Sequence, residues 1–216
     1  MSALPATLPI FPLAGVLLLP RGRLPLNVFE PRYLAMTRDA MTGNHMIGMV
    51  QPLDPQEEGE TAPAVYSTGC AGRITAFEES DDGRYLITLT GLCRFAVVDE
   101  LPLSETGYRR VQAAYDGYAD DLDTPAEDRV ERGQLLQALK SCFAEDDDVA
   151  VDWESIERTP SDNLVTSLAM MLPFSPSEKQ ALLEARDLAE RARILIALME
   201  MMAAFDQTGA DETSVQ

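Results

Sequence analysis

GRITAFEESDDGRYLITLT, residues 72–90, decides how the first half of this chain folds. Arg73 to Phe77 and Arg84 to Thr90 are rich in β-branched and aromatic residues, and a polar stretch, Glu78 to Gly83, separates them. Glycine after Asp82 accepts the positive φ that a hairpin turn needs. The stretch predicts two antiparallel strands and their turn. Working outward, short apolar segments recur on both sides. Leu8 to Leu13 and Gly15 to Leu19 are punctuated by prolines and suit edge strands or barrel rims. His45 to Val50, Phe95 to Val98 and Tyr108 to Tyr115 continue the series. Strands this short, with turn residues between them, predict a small closed or nearly closed antiparallel barrel. Closure removes the sheet edges that would recruit other chains.

One helix is predicted within this half. An apolar run ending Leu26-Asn-Val-Phe29 passes without a loop into Glu30-Pro31-Arg32-Tyr33. Pro31 has the φ of a first helical position and pushes Glu30 towards an extended conformation. Tyr33, Leu34, Thr37, Ala40 and Met41 then form a face that packs on the barrel. A carboxylate, a guanidinium and a phenol therefore meet at a sharp change of direction. They are either a structural joint or, with Phe29, Arg32 and Tyr33 exposed, the lining of a peptide groove.

The second half reads as helical. Thr124-Pro-Ala-Glu127, Thr159-Pro-Ser-Asp162 and Ser175-Pro-Ser-Glu178 each combine a capping hydroxyl, a proline and an acid three residues on. Helices over 124–144, 160–171, 176–186 and 187–206 are expected. In the last, Leu188, Ala192, Leu195, Met199 and Met202 form one apolar stripe, and Ile194, Leu198, Met201 and Phe205 a second. So wide a surface makes this helix the centre of a bundle, or docks it on the barrel. The expected architecture is α+β: a barrel over 1–118 with one inserted helix, a helical bundle over 119–207, and a disordered tail over 208–216. The polar stretch DGYADDLD, 116–123, reads as a mobile link between the halves.

Composition narrows the function. With 17 basic against 36 acidic residues the chain carries −19, which opposes binding to nucleic acid or anionic lipid. Residues 116–157 carry most of the excess acid, whereas residues 1–50 are slightly basic. Cys70, Cys93 and Cys142 are odd in number and widely spaced, which indicates a reducing compartment rather than a disulfide framework. The apolar N-terminus lacks a basic n-region and contains Pro5, Pro9 and Pro12, so it does not read as a signal peptide. A cytoplasmic protein is expected.

Candidate chemistry is sparse. No phosphate-cradling Gly-Lys-Ser/Thr occurs, no nucleophile elbow, and no set of residues at metal-ligand spacing. His45 is the single histidine, so any triad or Cys93–His45 pair depends on it. The acids on the hairpin turn lack the burial that would make them general acids. Neither a catalytic group, a metal nor a cofactor is expected.

The ordered series Leu8-Pro-Ile-Phe-Pro-Leu13, Leu24-Pro-Leu-Asn-Val-Phe-Glu-Pro-Arg-Tyr33, Met46-Ile-Gly-Met49, Gly69-Cys-Ala-Gly-Arg-Ile74, Leu89-Thr-Gly-Leu-Cys-Arg-Phe95 and Leu172-Pro-Phe-Ser-Pro-Ser-Glu-Lys-Gln180 resembles the N-terminal domain of the Lon protease family over residues 7–205. The resemblance implies a PUA-like barrel followed by helices and a role in binding substrate polypeptide. Full Lon proteases add an ATPase module and a Ser-Lys peptidase domain that this sequence lacks. The resemblance therefore implies a non-enzymatic module for unfolded or apolar polypeptide segments, acting as an adaptor or regulator, with a protease among its partners. A small hydrolase with an unrecognised site and an RNA-binding PUA-like module are the competing readings.

Overall fold

A computed structural model describes residues 4–53, 63–123, 130–143 and 152–213, with side chains through Ala204. Six strands form one mixed sheet: β1 (Thr7–Pro12), β2 (Arg23–Val28), β3 (Met46–Val50), β4 (Thr68–Glu79), β5 (Tyr85–Leu101) and β6 (Arg110–Ala114). The helices are α1 (Pro31–Thr42), α2 (Arg132–Cys142), α3 (Trp153–Arg158), α4 (Ser161–Met171), α5 (Pro176–Glu184) and α6 (Leu188–Thr213), with a 3-10 segment at Asp116–Leu122. No helix among the described residues is long and apolar enough to cross a membrane.

The hairpin forms where the sequence predicts it. Gly83 has φ +79°, and its N–H donates to the Ser80 carbonyl at 2.9 Å. The strand after the turn is longer than expected, because the segments at 84–90 and 95–98 are one strand, β5. Gly91 lets it continue past a crowded point, since a Cβ there would collide with the Leu19 carbonyl oxygen. β5 pairs with β2 and β4 over its first part and with β6 over its last. The order β2-β5-β4-β3-β1-β6, with β6 returning to β5, makes a closed circuit of pairings with β2 outside it.

The sheet is not wholly antiparallel, which corrects the expectation. β1 runs parallel to β3 through the register Ile10↔Gly48 to Pro12↔Val50. The connection between them carries β2 and α1, the long crossover that parallel pairing requires. β1 is also no edge strand, despite Pro9 and Pro12. Its first half, Thr7 to Pro9, pairs with β6 and its second half with β3. Each proline thus faces a single ladder, which tolerates the missing N–H. Gly15 to Leu19 forms no strand; Leu17, Leu18 and Leu19 enter the core as a loop.

Two apolar clusters fill the molecule. One is enclosed by the strand circuit and contains Leu8, Ile10, Met46, Val50, Phe95 and Val111. The larger joins the outer sheet face, α1 and the helices, running from Phe11, Met36 and Leu89 to Leu135, Leu164 and Leu195. The strand half and the helical half thus share one core. α6 packs against α2, α4 and α5 as the central member of the bundle. Ala192, Leu195, Met199 and Leu198 are buried on it, whereas Met201 is exposed. α6 runs beyond the expected end at 206 to Thr213, into the stretch expected to be a disordered tail. The Phe205 side chain and residues 214–216 lie outside the described residues.

Only one of the three proline-marked starts is observed as expected. Ser175 caps α5 in a full capping box with Glu178. Thr159 does not cap α4: its hydroxyl donates back to the Ser155 carbonyl at 2.9 Å and closes α3, a short helix not read from the sequence. The third start, at Thr124, falls outside the described residues, and α2 begins at Arg132.

Candidate functional site

β2, β5 and the distal part of β4 extend beyond the strand circuit as a three-stranded arm. Alternation sorts its side chains. Leu24, Leu26, Val28, Ile74, Tyr85, Ile87 and Leu89 face the large core. The opposite face carries Arg23, Pro25 and Asn27 from β2 and Thr90, Thr88 and Leu86 from β5, in register with Arg73, Ala76 and Glu78 of β4. The outer edge of β2 has no strand partner among the described residues.

At the hairpin end of this arm the apolar surface emerges into solvent. Phe29 is 61% exposed, Phe77 41% and Leu86 43%. The Phe77 ring lies 5.0 Å from that of Tyr85, and Arg84 sits over Phe29 at 5.9 Å. Arg38 donates to the Tyr85 hydroxyl at 2.7 Å and holds that ring against α1. A shallow groove of about 480 Å³ runs over Pro25, Asn27, Thr88, Leu86 and Ala76. A second concavity, about 550 Å³, lies along α2 beside Leu136 and Lys140.

The three residues expected to line a peptide groove take different environments. Phe29 is open to solvent. Tyr33 is buried, stacked on Phe11 at 4.1 Å between ring centroids, and burial raises its phenol pKa. Arg32 caps that stack from outside, 4.6 Å from the Tyr33 ring, while its guanidinium pairs with Glu30 at 2.9 Å. Arg32 and Tyr33 therefore form a joint between β2, α1 and β1, with Arg32 half-buried on its outer side and Phe29 open to solvent.

Sequence reasoning missed the polar clamp between the halves. Arg94 is buried and pairs with buried Asp121 at 2.8 Å. Its guanidinium also donates to the carbonyls of Leu183 at 3.1 Å, of Ala185, and of Arg186 at 3.3 Å, capping the end of α5. Burial works against the Arg94 charge, but the Asp121 hydrogen bond and charge outweigh it and raise the pKa. The segment 116–123 is thus an anchored 3-10 turn rather than the mobile link expected. Nearby, Lys179 donates to the Gly15 carbonyl at 2.8 Å, Gln180 to Thr68 at 3.2 Å and Gln51 to Pro176 at 3.0 Å. These bonds tie the sheet to the helices across the seam between them.

The nucleophile candidates do not assemble. Cys93 donates to the Tyr118 carbonyl at 3.3 Å, and burial pushes its thiol up to about 11. Cys70 is fully buried and also shifted upward by burial. His45 stands in the turn after α1 with φ +62°, its carbonyl accepting from Ile74. Among the described residues, no three His, Cys, Asp or Glu side chains come together as a metal site.

Residues 7–201 match the model of the ATP-dependent protease La (LON) substrate-binding domain. The chain is similar to a Lon protease of Anaeromyxobacter dehalogenans, with 28% identity over 91% of this chain and 23% of the relative. It is equally similar to Lon protease 2 of Myxococcus xanthus, again 28% identical over 91% of this chain and 24% of the relative. The chain thus spans about a quarter of the length of these relatives. A crystal structure of a Lon N-terminal domain protein from Xanthomonas campestris superposes with a TM-score of 0.61 at 25% identity, covering 88% of this chain and 97% of that one. The N-terminal domain of the Mycobacterium avium complex Lon protease shares the fold, with a TM-score of 0.64 at 16% identity over 89% and 97%.

Proposed function

Because the chain belongs to the ATP-dependent protease La (LON) substrate-binding domain family, we propose that it is a non-enzymatic module that binds extended, apolar polypeptide segments. The family match over residues 7–201 is the observation that carries this reading. The arm supplies a physical basis: at its hairpin end Phe29 and, on opposite faces of the sheet, Phe77 and Leu86 expose apolar side chains of the kind that mark interaction sites. Beside them β2 offers a free edge, blunted at Pro25 by the missing N–H. Binding here combines side-chain contacts with main-chain hydrogen bonds from the unblunted positions. Arg32 and Tyr33 act on this site indirectly, by fixing the corner that presents Phe29.

The circuit of strand pairings fits a PUA-like barrel over 1–118, followed from 119 by a helical part that α6 carries to Thr213, with the Arg94–Asp121 clamp joining them. In a cytoplasmic setting the module would serve as an adaptor or regulator that brings segments to a protease. A hydrolase is not favoured, because Cys93 is held protonated by burial and hydrogen-bonded to a carbonyl. RNA binding is not favoured at a net charge of −19.

NMR titration of the full chain with an unfolded polypeptide tests the reading. The expected result is saturable shifts of the amides of Phe29, Phe77 and Leu86. Titration with unfolded polypeptides and apolar peptides that moves no resonance on the arm would overturn it.

A further inference from the structure

Two arginines stand in one row across the solvent face of the arm. Arg23 of β2 and Arg73 of β4 are both the register partners of Thr90 in β5. Cross-strand partners share a face, so both side chains flank Thr90, with their Cα atoms about 10 Å apart across one intervening strand. Neither guanidinium has an ion-pair or hydrogen-bond partner among the described residues, in a chain with 36 acids. Thr75 and Thr90 join hydroxyls at 2.9 Å between them and fill the floor. The groove over Pro25, Thr88 and Leu86 continues from this row towards the hairpin, where Glu78 supplies the opposite charge.

Resting on the peptide-binding reading above, we propose that this face selects extended segments that carry Asp or Glu beside an apolar residue. The carboxylate end lies on the Arg23–Arg73 row and the apolar residue sits over Leu86 and Ala76. A guanidinium presents a planar fork that meets a carboxylate in two parallel hydrogen bonds. Two such forks either converge on one carboxylate over Thr90 or hold two carboxylates of the crossing segment. Glu78, two rows further along the same face, repels an acid placed at the hairpin end and so sets the orientation. The overall charge of −19 predicts the reverse preference, for basic segments. Screening over about 10 Å lets the local pair prevail at contact.

The test measures binding of three fluorescent peptides to the full chain: an apolar peptide with adjacent Asp and Glu, its Asn/Gln counterpart, and its Lys counterpart. At about 0.1 M salt, where the −19 is screened beyond about 10 Å but contact pairs are not, the acidic peptide is expected to bind about tenfold more tightly than the amide peptide, and less so at about 1 M. In R23Q/R73Q the ratio between the two collapses to about one, and in R23E/R73E the Lys peptide becomes the preferred one. Equal binding of acidic and amide peptides, or preference for Lys in the native chain, overturns the acid selectivity and leaves polypeptide binding standing. Failure of all three peptides to bind overturns both.

Discussion

Asp121 takes three hydrogen bonds from one residue: the backbone N–H of Arg94 at 2.9 Å, its Nε at 2.9 Å and its Nη2 at 2.8 Å. The same guanidinium reaches the last carbonyls of α5, so one ion pair joins β5, the 3-10 turn and the helices. Asp121→Ala leaves the Arg94 charge buried without its partner, and a loss of about 3–5 kcal/mol is expected in urea unfolding. Replacing both members, Arg94→Met with Asp121→Leu, should cost less than the single change. A double variant no more stable than Asp121→Ala would show that the carbonyl contacts, not the ion pair, dominate.

The two hydroxyl-proline motifs separate in energy. Ser175→Ala removes the α5 capping box and should cost about 1 kcal/mol. Thr159→Ala removes only an exposed bond that closes α3, and a change within about 0.5 kcal/mol is expected. Chemical denaturation of the two variants side by side measures the contrast.

Gly91 is required by a close backbone approach rather than by its φ. A methyl group there meets the Leu19 carbonyl, which is backbone and cannot rotate away. Gly91→Ala should destabilise by about 2–3 kcal/mol, whereas Gly117→Ala, with open space around its Cβ, should be nearly silent. Thermal unfolding distinguishes them.

These positions show which parts of the fold could be read from residues. Asp82-Gly83 and Ser175 to Glu178 are local: turn and cap chemistry lies within a few neighbours, and both appear where predicted. Pro9 misled because its cost depends on which strand pairs with it, and β1 changes partner at that point. Arg94 and Asp121 stand 27 positions apart in a stretch of ordinary polar composition, so nothing local marks them as partners. Phe29, Arg32 and Tyr33 fall within five residues, yet the strand-to-helix corner sends one ring outward and the other into the core. Arg23 and Arg73 become a pair only through the register at Thr90.

Burial of the thiols gives the stability a definite alkaline dependence. Cys93 is held up to about 11, against an ordinary cysteine near 8.5. Between these values the unfolded chain loses its thiol proton while the folded chain keeps it, so the unfolded state binds fewer protons. Stability should therefore fall as pH rises from about 9 to 11, with Cys70 adding in the same direction. Cys93→Ala should flatten part of that fall. At pH 8 both thiols should resist an aromatic disulfide reagent in the folded protein; rapid modification without unfolding would contradict their burial.

Phe29 and Tyr33 are four residues apart and should separate binding from stability. Phe29→Ala removes an exposed ring, and a stability change within about 0.5 kcal/mol is expected. Tyr33→Ala opens a cavity against Phe11 and should cost about 3–5 kcal/mol. Polypeptide affinity should move the other way: Phe29→Ala with Phe77→Ser weakens binding several-fold in a chain that remains folded by circular dichroism. Tyr33→Phe keeps the stack on Phe11 and so retains affinity. If the Phe29 and Phe77 changes left affinity intact while Arg32→Ala, at unchanged stability, abolished it, the site would lie at the corner of β2 and α1 rather than on the arm.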